Sequence, residues 1–502
     1  MALETNESES GTVKTESNLF VVLGATGDLV HRKLLPALFQ VFTAHSVGEE
    51  SLILGVGVET DIDDARFREM AAQSLVAGDD AEPSEARAWC ERYLRYQPIG
   101  QGTTADYQAL AARISALEES AKLTGNRVLY LALPPAVFEP AIRGLGEAGL
   151  NRSRGWTRLV IEKPFGRDLD SARQLNRTLH EWFEERQIYR IDHYLGKETV
   201  KNLLAFRFAN ALFESSWNRD RIERVEILVA ESLGVEHRAV YYEKAGAVRD
   251  MMQNHLTQLL TIVAMELPAA FDADAIRYEK AKLLRAVQPI DCGDVVFGQY
   301  VRGSVDGSEA PGYREEPGVN PDSQAETFAA LRLRIDNWRW FGVPFYLRTG
   351  KRMPRRLSQI VVTFRAPPLS IFKPLPCHSI HSNALVFTIQ PDEGFDLNFE
   401  VKSPGQGMTL ETERLHFRYS EAFAPLLDAY HTLLTDILTG DQTLFVSALW
   451  AELSWALYTP LLENRPLVEF YAAGTWGPAA AERLIRGEAP VTGNGKTGGG
   501  RA

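Results

Sequence analysis

Cysteine is nearly absent. Cys90, Cys292 and Cys377 are the only three in 502 residues, widely spaced and odd in number. That argues against a disulfide framework and suits a reducing cytoplasm. Positive charge is also short, with 54 Lys and Arg against 66 Asp and Glu and a net charge of −12. The chain as a whole therefore has no pull on nucleic acid, and an anionic substrate needs a local basic pocket. No apolar run is long enough to span a bilayer, so no membrane role is expected. The polar, acidic opening "MALETNESESGTVKTESN" lacks the apolar core of a signal peptide. The tail "TGNGKTGGGRA" is Gly-rich, a composition that does not fold. What is there is ordinary globular composition, 45% hydrophobic and 24% charged, long enough for two or three domains with cores of their own.

From residue 18 short apolar runs alternate with amphipathic stretches. "NLFVVL", "SLILGVGV", "RVLYLAL", "TRLVIEKP" and "QIYRI" predict strands. "LVHRKLLPALFQVF", "DIDDARFREMAAQSL" with Asp61 as cap, "PAVFEPAIRGLGEAGL" and a stretch opened by Asp168 or Asp170 predict helices. Strands alternating with helices specify βαβ units, hence an α/β, Rossmann-type, doubly wound parallel sheet. Past residue 205 the runs lengthen and alternate: "RVEILVAES", "TFAALRLRI", "QIVVTFRA", "ALVFTIQP" and "FDLNFEVK", with a turn at "PDEG". They predict a larger α+β domain with a big, mostly antiparallel sheet, one face covered by the helical "AVRDMMQNHLTQLLTIVAMEL". The expected organisation is a disordered extension at 1–17, a dinucleotide-binding domain at 18–192, a substrate-binding and dimerisation domain at 193–490, and a flexible tail at 491–502. "RIDHYLGKETV" falls at the domain boundary, a place ligand sites favour.

Chemistry gathers in a few strings. In "GATGDLVHRKLLPALF" Gly24 and Gly27 stand between a strand and a helix, where glycine permits a tight turn and the helix N-terminus offers N–H groups to a pyrophosphate. The third glycine of the usual dinucleotide fingerprint is missing, and Val30 stands in its place. A bare GxxG suits a plain β–α turn equally well; the strand–turn–helix context favours a nucleotide. Thr26 and Lys33 are added phosphate contacts, with Asp28 and Leu29 completing the turn. "LALPP", with Pro134, and "EKPFG", with Lys163, follow predicted strands, and the carboxyl ends of such strands are where a doubly wound sheet binds its ligand.

"RIDHYLGKE" packs Asp192, His193, Tyr194 and Lys197 together. On a helical turn His193 and Lys197 share one face and, with Tyr194, make a cationic, hydrogen-bonding cradle for a phosphomonoester. A solvated charged turn is the commoner fate of such a string. His255 lies in "RDMMQNHLTQLL". At about 100° per residue Asp250 sits about 140° round the helix from it, a poor partner, so a carboxylate from another segment has to orient the imidazole. Asp192 is the candidate, giving an Asp–His pair able to draw a proton from a hydroxyl. "CHSIH" (377–381) lacks the further ligands of a zinc site and reads as a loop, so no metal is expected. In "NWRWFGVPFYLRTGKRM" buried aromatics are expected, but Lys351 follows a Gly350 turn from which it can reach a ligand.

Together "GATGDL", "EKPFG", "RIDHYLGKE", "RDMMQNHL" and "GVPFYLRTGK" resemble the glucose-6-phosphate dehydrogenase family, from about residue 18 to about 490. The resemblance implies oxidation of β-D-glucose 6-phosphate at C1 to 6-phosphoglucono-1,5-lactone, the first step of the oxidative pentose phosphate pathway. It implies a homodimer or homotetramer. By the same resemblance His255 is the base, Asp192 its partner, and His193, Tyr194 and Lys197 hold the phosphate. Glu231, Asp250 and Lys351 bind the sugar, with Arg356 a weaker candidate. The cofactor implied is NADP. Yet the family usually ends its second strand in G-x-A-R, whose Arg grips the 2′-phosphate, and here "LILGVGVET" puts Val58 and Glu59 there. A carboxylate at that place suits the free ribose hydroxyl of NAD, while Lys33 and Arg32 are available to a 2′-phosphate. A second departure is "GVEHRAVYYEKAGAV", where the family tends to have glycines between Arg238 and Tyr241. Two other readings stand behind this one: a dehydrogenase of unphosphorylated sugars, which has no need of His193 and Lys197 together, and a cofactor-binding protein without turnover.

Overall fold

In the computed structural model the described residues are 15–44, 47–369, 371, 380–405, 408–423 and 426–486. The Gly-rich tail, residues 1–14 of the expected extension, and Cys377 and His378 lie outside them. The rest divides into two compact units. One runs to Glu198 and takes in Pro268–Tyr278 and Leu427–Glu452; the other comprises Thr199–Leu267, Glu279–Leu426 and the chain from Leu453 onward. The two later returns to the first unit are something a linear reading of the sequence has no means to express.

The first unit holds six parallel strands: β1 (Leu19–Leu23), β2 (Leu52–Gly57), β3 (Leu94–Pro98), β4 (Arg127–Leu131), β5 (Thr157–Ile161) and β6 (Ile188–Arg190). Their order is β3-β2-β1-β4-β5-β6. All five side chains of β1 and of β4 are buried, as expected of strands covered on both faces. The order reverses between β1 and β4, so the loops leaving these two strands flank the switch point of a doubly wound sheet. Among the elements that escaped the sequence reading are the helices Pro83–Tyr93 and Thr104–Ser120, and β3 between them. Both helices have polar, weakly periodic sequences, though Thr103 and Asp106 form a reciprocal capping box. The helix Asp64–Ala77 is capped by Asp63, not Asp61, since it is Asp63 that accepts from the Arg66 N–H. Asp168 caps Leu169–Trp182.

Helix Ala429–Thr439 belongs to this unit's core. Leu433, Leu434, Ile437 and Leu438 are buried in one cluster with Phe20 and Val22 of β1. Arg158 on β5 donates to the carbonyls of Ile437 and Leu438 at 2.5 and 2.8 Å.

The second unit holds a nine-stranded sheet. Its strands are β7 (Ile222–Ala230), β8 (Val295–Val301), β11 (Phe328–Leu333), β12 (Phe345–Gly350), β13 (Leu357–Phe364), β14 (Ala384–Gln390), β15 (Gly394–Lys402), β16 (Leu410–Arg418) and β17 (Val468–Ala472). A separate hairpin pairs β9 (Gly303–Val305) with β10 (Ser308–Ala310). The sheet order is β16-β15-β14-β13-β7-β12-β11-β8-β17, antiparallel except where β7 meets β12 and β8 meets β17. The helical stretch expected to cover it lies against β7 and β12. It is not one regular helix. Gly246, at φ +61°, kinks the chain just ahead of it, Val248–Leu256 is a π-helix, and only Thr257–Ala264 is α-helical.

Candidate active site

On the first unit, the glycine turn sits at the end of β1. Gly24 has φ +86°, and a Cβ there would collide with the carbonyl oxygen of Ala132, just past β4. Only glycine fits, for backbone conformation and for space. The Gly24 N–H donates to Val56 O on β2 at 2.8 Å, and the Gly27 N–H turns back to Gly24 O at 3.0 Å. The backbone thus closes tightly at the switch point, with Asp28 and Leu29 leading into the helix. That helix opens as a π-helix, Val30–Leu34. This wide first turn holds the place where the third glycine is missing. Lys33 turns its ammonium to Asp428, 3.6 Å away, and Arg32 its guanidinium to Asp28 at 3.5 Å, both pairs in contact with solvent.

At the end of β2, Val58 is 64% exposed. Glu59 accepts from the Thr26 hydroxyl and, through its main-chain oxygen, from the Tyr96 hydroxyl, each at 3.1 Å. Pro134 follows β4 and Lys163 follows β5, both on the carboxyl side of the sheet. Beside Lys163, Glu162 is buried and accepts from two phenols at one oxygen, Tyr130 at 2.5 Å and Tyr430 at 3.1 Å. Burial pushes its carboxyl above the usual carboxylate range, against the hydrogen bonds that lower it.

The "RIDHYLGKE" segment follows β6. Asp192 is 2% exposed and its Oδ1 accepts the Tyr194 N–H at 3.0 Å. Residues 193–196 form a turn, not the helical turn expected, and the helix starts only at Glu198. The cradle nevertheless gathers: the His193 and Tyr194 rings are 5.1 Å apart, and the Lys197 ammonium is 5.9 Å from the Tyr194 ring centre. Gly196 lets the turn press on the Ala429 carbonyl and Leu433, where a side chain would collide.

On the second unit, β7 and β12 run parallel, with Ala230 paired to Gly350. The next residues, Glu231 and Lys351, therefore leave the sheet side by side, and their side chains pair at 2.8 Å. Lys351 is 5% exposed, and its ammonium lies 4.9 Å from the Tyr242 ring centre. Asp250 is buried on the π-helix and accepts from the Tyr241 hydroxyl at 3.2 Å; Arg238 reaches the same oxygen at 3.7 Å. Burial, then the Asp250 charge, holds the Tyr241 phenol above its usual range. Neither Arg238 nor Tyr241 was singled out for a role, yet both lie in the stretch that departs from the family pattern, which was the available signal. His255 is 1% exposed on the same π-helix. A π-helix bonds each residue to the fifth along. Asp250 and His255 are thus one step apart on a common row, which corrects the 140° separation expected of an α-helix. Arg356 comes just before Leu357, which pairs antiparallel with Ala230; it is exposed and donates to Gln390 of β14 at 3.1 Å.

Residues 21–202 match the family described as glucose-6-phosphate dehydrogenase, NAD binding domain, and residues 204–490 its C-terminal domain. The glucose-6-phosphate 1-dehydrogenase of Aggregatibacter actinomycetemcomitans is 44% identical over 482 residues, covering 94% of this chain and 96% of that one. The Bacillus subtilis protein of the same name is 40% identical over 480 residues, covering 93% and 96%. A solved glucose-6-phosphate dehydrogenase in complex with its substrate glucose-6-phosphate superimposes with a TM-score of 0.87 at 35% identity, covering 96% of this chain and 99% of its own. The Mycobacterium avium enzyme does so with a TM-score of 0.81 at 34% identity, covering 94% and 98%.

Proposed function

Because the chain belongs to the glucose-6-phosphate dehydrogenase family, we propose that it oxidises β-D-glucose 6-phosphate at C1 to 6-phosphoglucono-1,5-lactone. The observation that carries this reading is the Glu231–Lys351 pair, set at the joint ends of β7 and β12. It offers a sugar both a cation and a carboxylate from a rigid sheet edge.

His255 takes the C1 hydroxyl proton on a ring nitrogen, and Asp192 supplies the carboxylate that fixes the tautomer and supports the imidazolium. Glu231, Asp250 and Lys351 hydrogen-bond the sugar hydroxyls and hold C1 in register, with Arg356 a weaker contributor. His193, Tyr194 and Lys197 take the phosphate. When bound, the dinucleotide supplies the hydride acceptor at its nicotinamide. Gly24, Gly27, Asp28 and Leu29 shape its pyrophosphate turn, with Thr26, Lys33, Pro134 and Lys163 around it. The close backbone approach at Gly24 fits such a group. No residue is assigned to a metal, since hydride and proton both have acceptors.

For the dinucleotide itself we infer NADP by family habit, with NAD accepted as well. Glu59 supports NAD, because an ionised carboxylate at the end of β2 accepts from a ribose hydroxyl and repels a 2′-phosphate. The protein works as a cytoplasmic homodimer or homotetramer, which light scattering on the purified chain measures directly.

The test is initial rates of reduced-cofactor formation with glucose 6-phosphate, NADP and NAD titrated in parallel. Turnover with both is expected. Turnover with NADP alone overturns the role given to Glu59, and none with either overturns the enzyme reading.

A further inference from the structure

Two successive residues just ahead of β11 on the second unit hold the start of the helix that carries the candidate base and the backbone of the candidate sugar lysine. Glu326 is fully buried just ahead of β11. Its main-chain oxygen accepts the Ala247 N–H at 2.9 Å, and its carboxylate accepts the Val248 N–H at 3.2 Å. These N–H groups begin the π-helix that carries Asp250 and His255. They belong to the first turn, which has no intrahelical acceptor of its own. Gly246, at φ +61°, brings the chain against that carboxylate, where a Cβ would collide with it. The other carboxylate oxygen pairs with Arg465. The next residue, Thr327, accepts the Lys351 N–H at 2.9 Å on its main-chain oxygen, and Tyr471 donates to the Lys351 carbonyl at 2.7 Å.

We infer that Glu326 is a positioning residue for the reaction: it anchors the start of the π-helix at a fixed height above the turn that carries Lys351. The inference rests on the roles proposed for His255 and Lys351. Its physical content is that a carboxylate locked by a buried N–H on one side and a guanidinium on the other cannot rotate without moving the helix. A buried acid with so few partners otherwise costs stability, because the desolvation of both charges offsets their attraction.

The variants are Glu326→Ala, Glu326→Gln and Arg465→Met. Each is measured with enzyme in excess over glucose 6-phosphate and well above its dissociation constant, the dinucleotide saturating, so that partial loss of folded enzyme leaves the observed rate constant unchanged. In Glu326→Ala that rate constant is expected to fall roughly 10- to 100-fold, the scale of an ångström-sized displacement of a reacting group. KM for the dinucleotide, read from separate steady-state titrations, stays as it was. Glu326→Gln keeps an acceptor for Val248 and recovers most of the rate; Arg465→Met falls in between, and these two carry the test if the alanine variant does not fold. An unchanged rate constant in all variants, or a Gln variant as slow as the Ala variant, overturns the inference. His255→Asn runs alongside. If it keeps the wild-type rate, the base assignment fails and takes this inference with it. If it is inactive while the Glu326 variants keep the full rate, only the inference fails.

Discussion

Glu59 at the end of β2 and Thr26 in the glycine turn after β1 are joined by a hydrogen bond, the threonine hydroxyl standing 3.1 Å from each carboxylate oxygen. The same carboxylate lies 3.4 Å from the Tyr96 hydroxyl. The acid is therefore held at the mouth of the turn, not adrift on the surface, and a dinucleotide seated there meets its charge. Glu59→Arg is expected to raise the ratio of kcat/KM for NADP over NAD by about 10-fold or more, the scale of one charged hydrogen bond. Initial rates with the two dinucleotides measure it. A ratio that does not move places the ribose elsewhere.

Lys351→Met keeps the aliphatic stem in its buried slot and removes the cation. Glu231 then faces the sugar with no partner on the adjoining strand end. Removing one hydrogen bond to a charged group lowers kcat/KM for glucose 6-phosphate by about 10- to 100-fold. KM for the dinucleotide, measured in the same series, is expected to hold.

Lys197→Ala tests the phosphate cradle against the reading as a dehydrogenase of plain sugars. KM for glucose 6-phosphate rises by about 10-fold or more if the ammonium holds the phosphate. The slow rate with unphosphorylated glucose is expected to stay level. Equal behaviour of both substrates would favour the plain-sugar reading.

Glu162 gives a pH signature of its own. Its carboxyl is raised by burial, and a group raised in the folded state stabilises the fold while it is protonated. That contribution is complete below the ordinary carboxylate pKa and is lost as pH climbs through the raised value. Glu162→Gln cannot ionise and still accepts from Tyr130 and Tyr430. Its melting temperature relative to wild type should therefore increase as pH rises above the ordinary carboxylate range. Parallel melting curves of the two proteins over that rise read the difference; a constant offset would mean the acid ionises freely.

The sequence carried the parallel sheet clearly because β1 is an unbroken apolar run and β4 and β5 end in apolar runs, VLYL and LVI, as strands of a doubly covered sheet do. β3, "LRYQP", has no such signature and is defined by its neighbour β2. Of the sugar-side pair, Lys351 was legible as a Lys after a Gly turn, and Glu231 only through the family resemblance. That they touch depends on β7 and β12 being parallel neighbours over 100 residues apart, which no local pattern encodes. The relation of Asp250 to His255 was misread for a different reason. Angular arithmetic assumed 3.6 residues per turn, and the segment takes the wider π path. Arg238 and Tyr241 beside Asp250 fell in a stretch noticed only as a departure.

The return of Leu427–Glu452 to the first unit has a consequence for how the protein is made. Ribosomes deliver the six strands of the dinucleotide sheet early, but Tyr430 for Glu162 and the Ile437 and Leu438 carbonyls for Arg158 arrive more than 230 residues after the last of those strands. Until then the nascent unit presents the apolar surface that Leu433, Leu434 and Ile437 later cover. Domains that fold vectorially can shelter themselves as they emerge; this one must wait for its lid, and a fragment cut after Glu198 would be born with its core open.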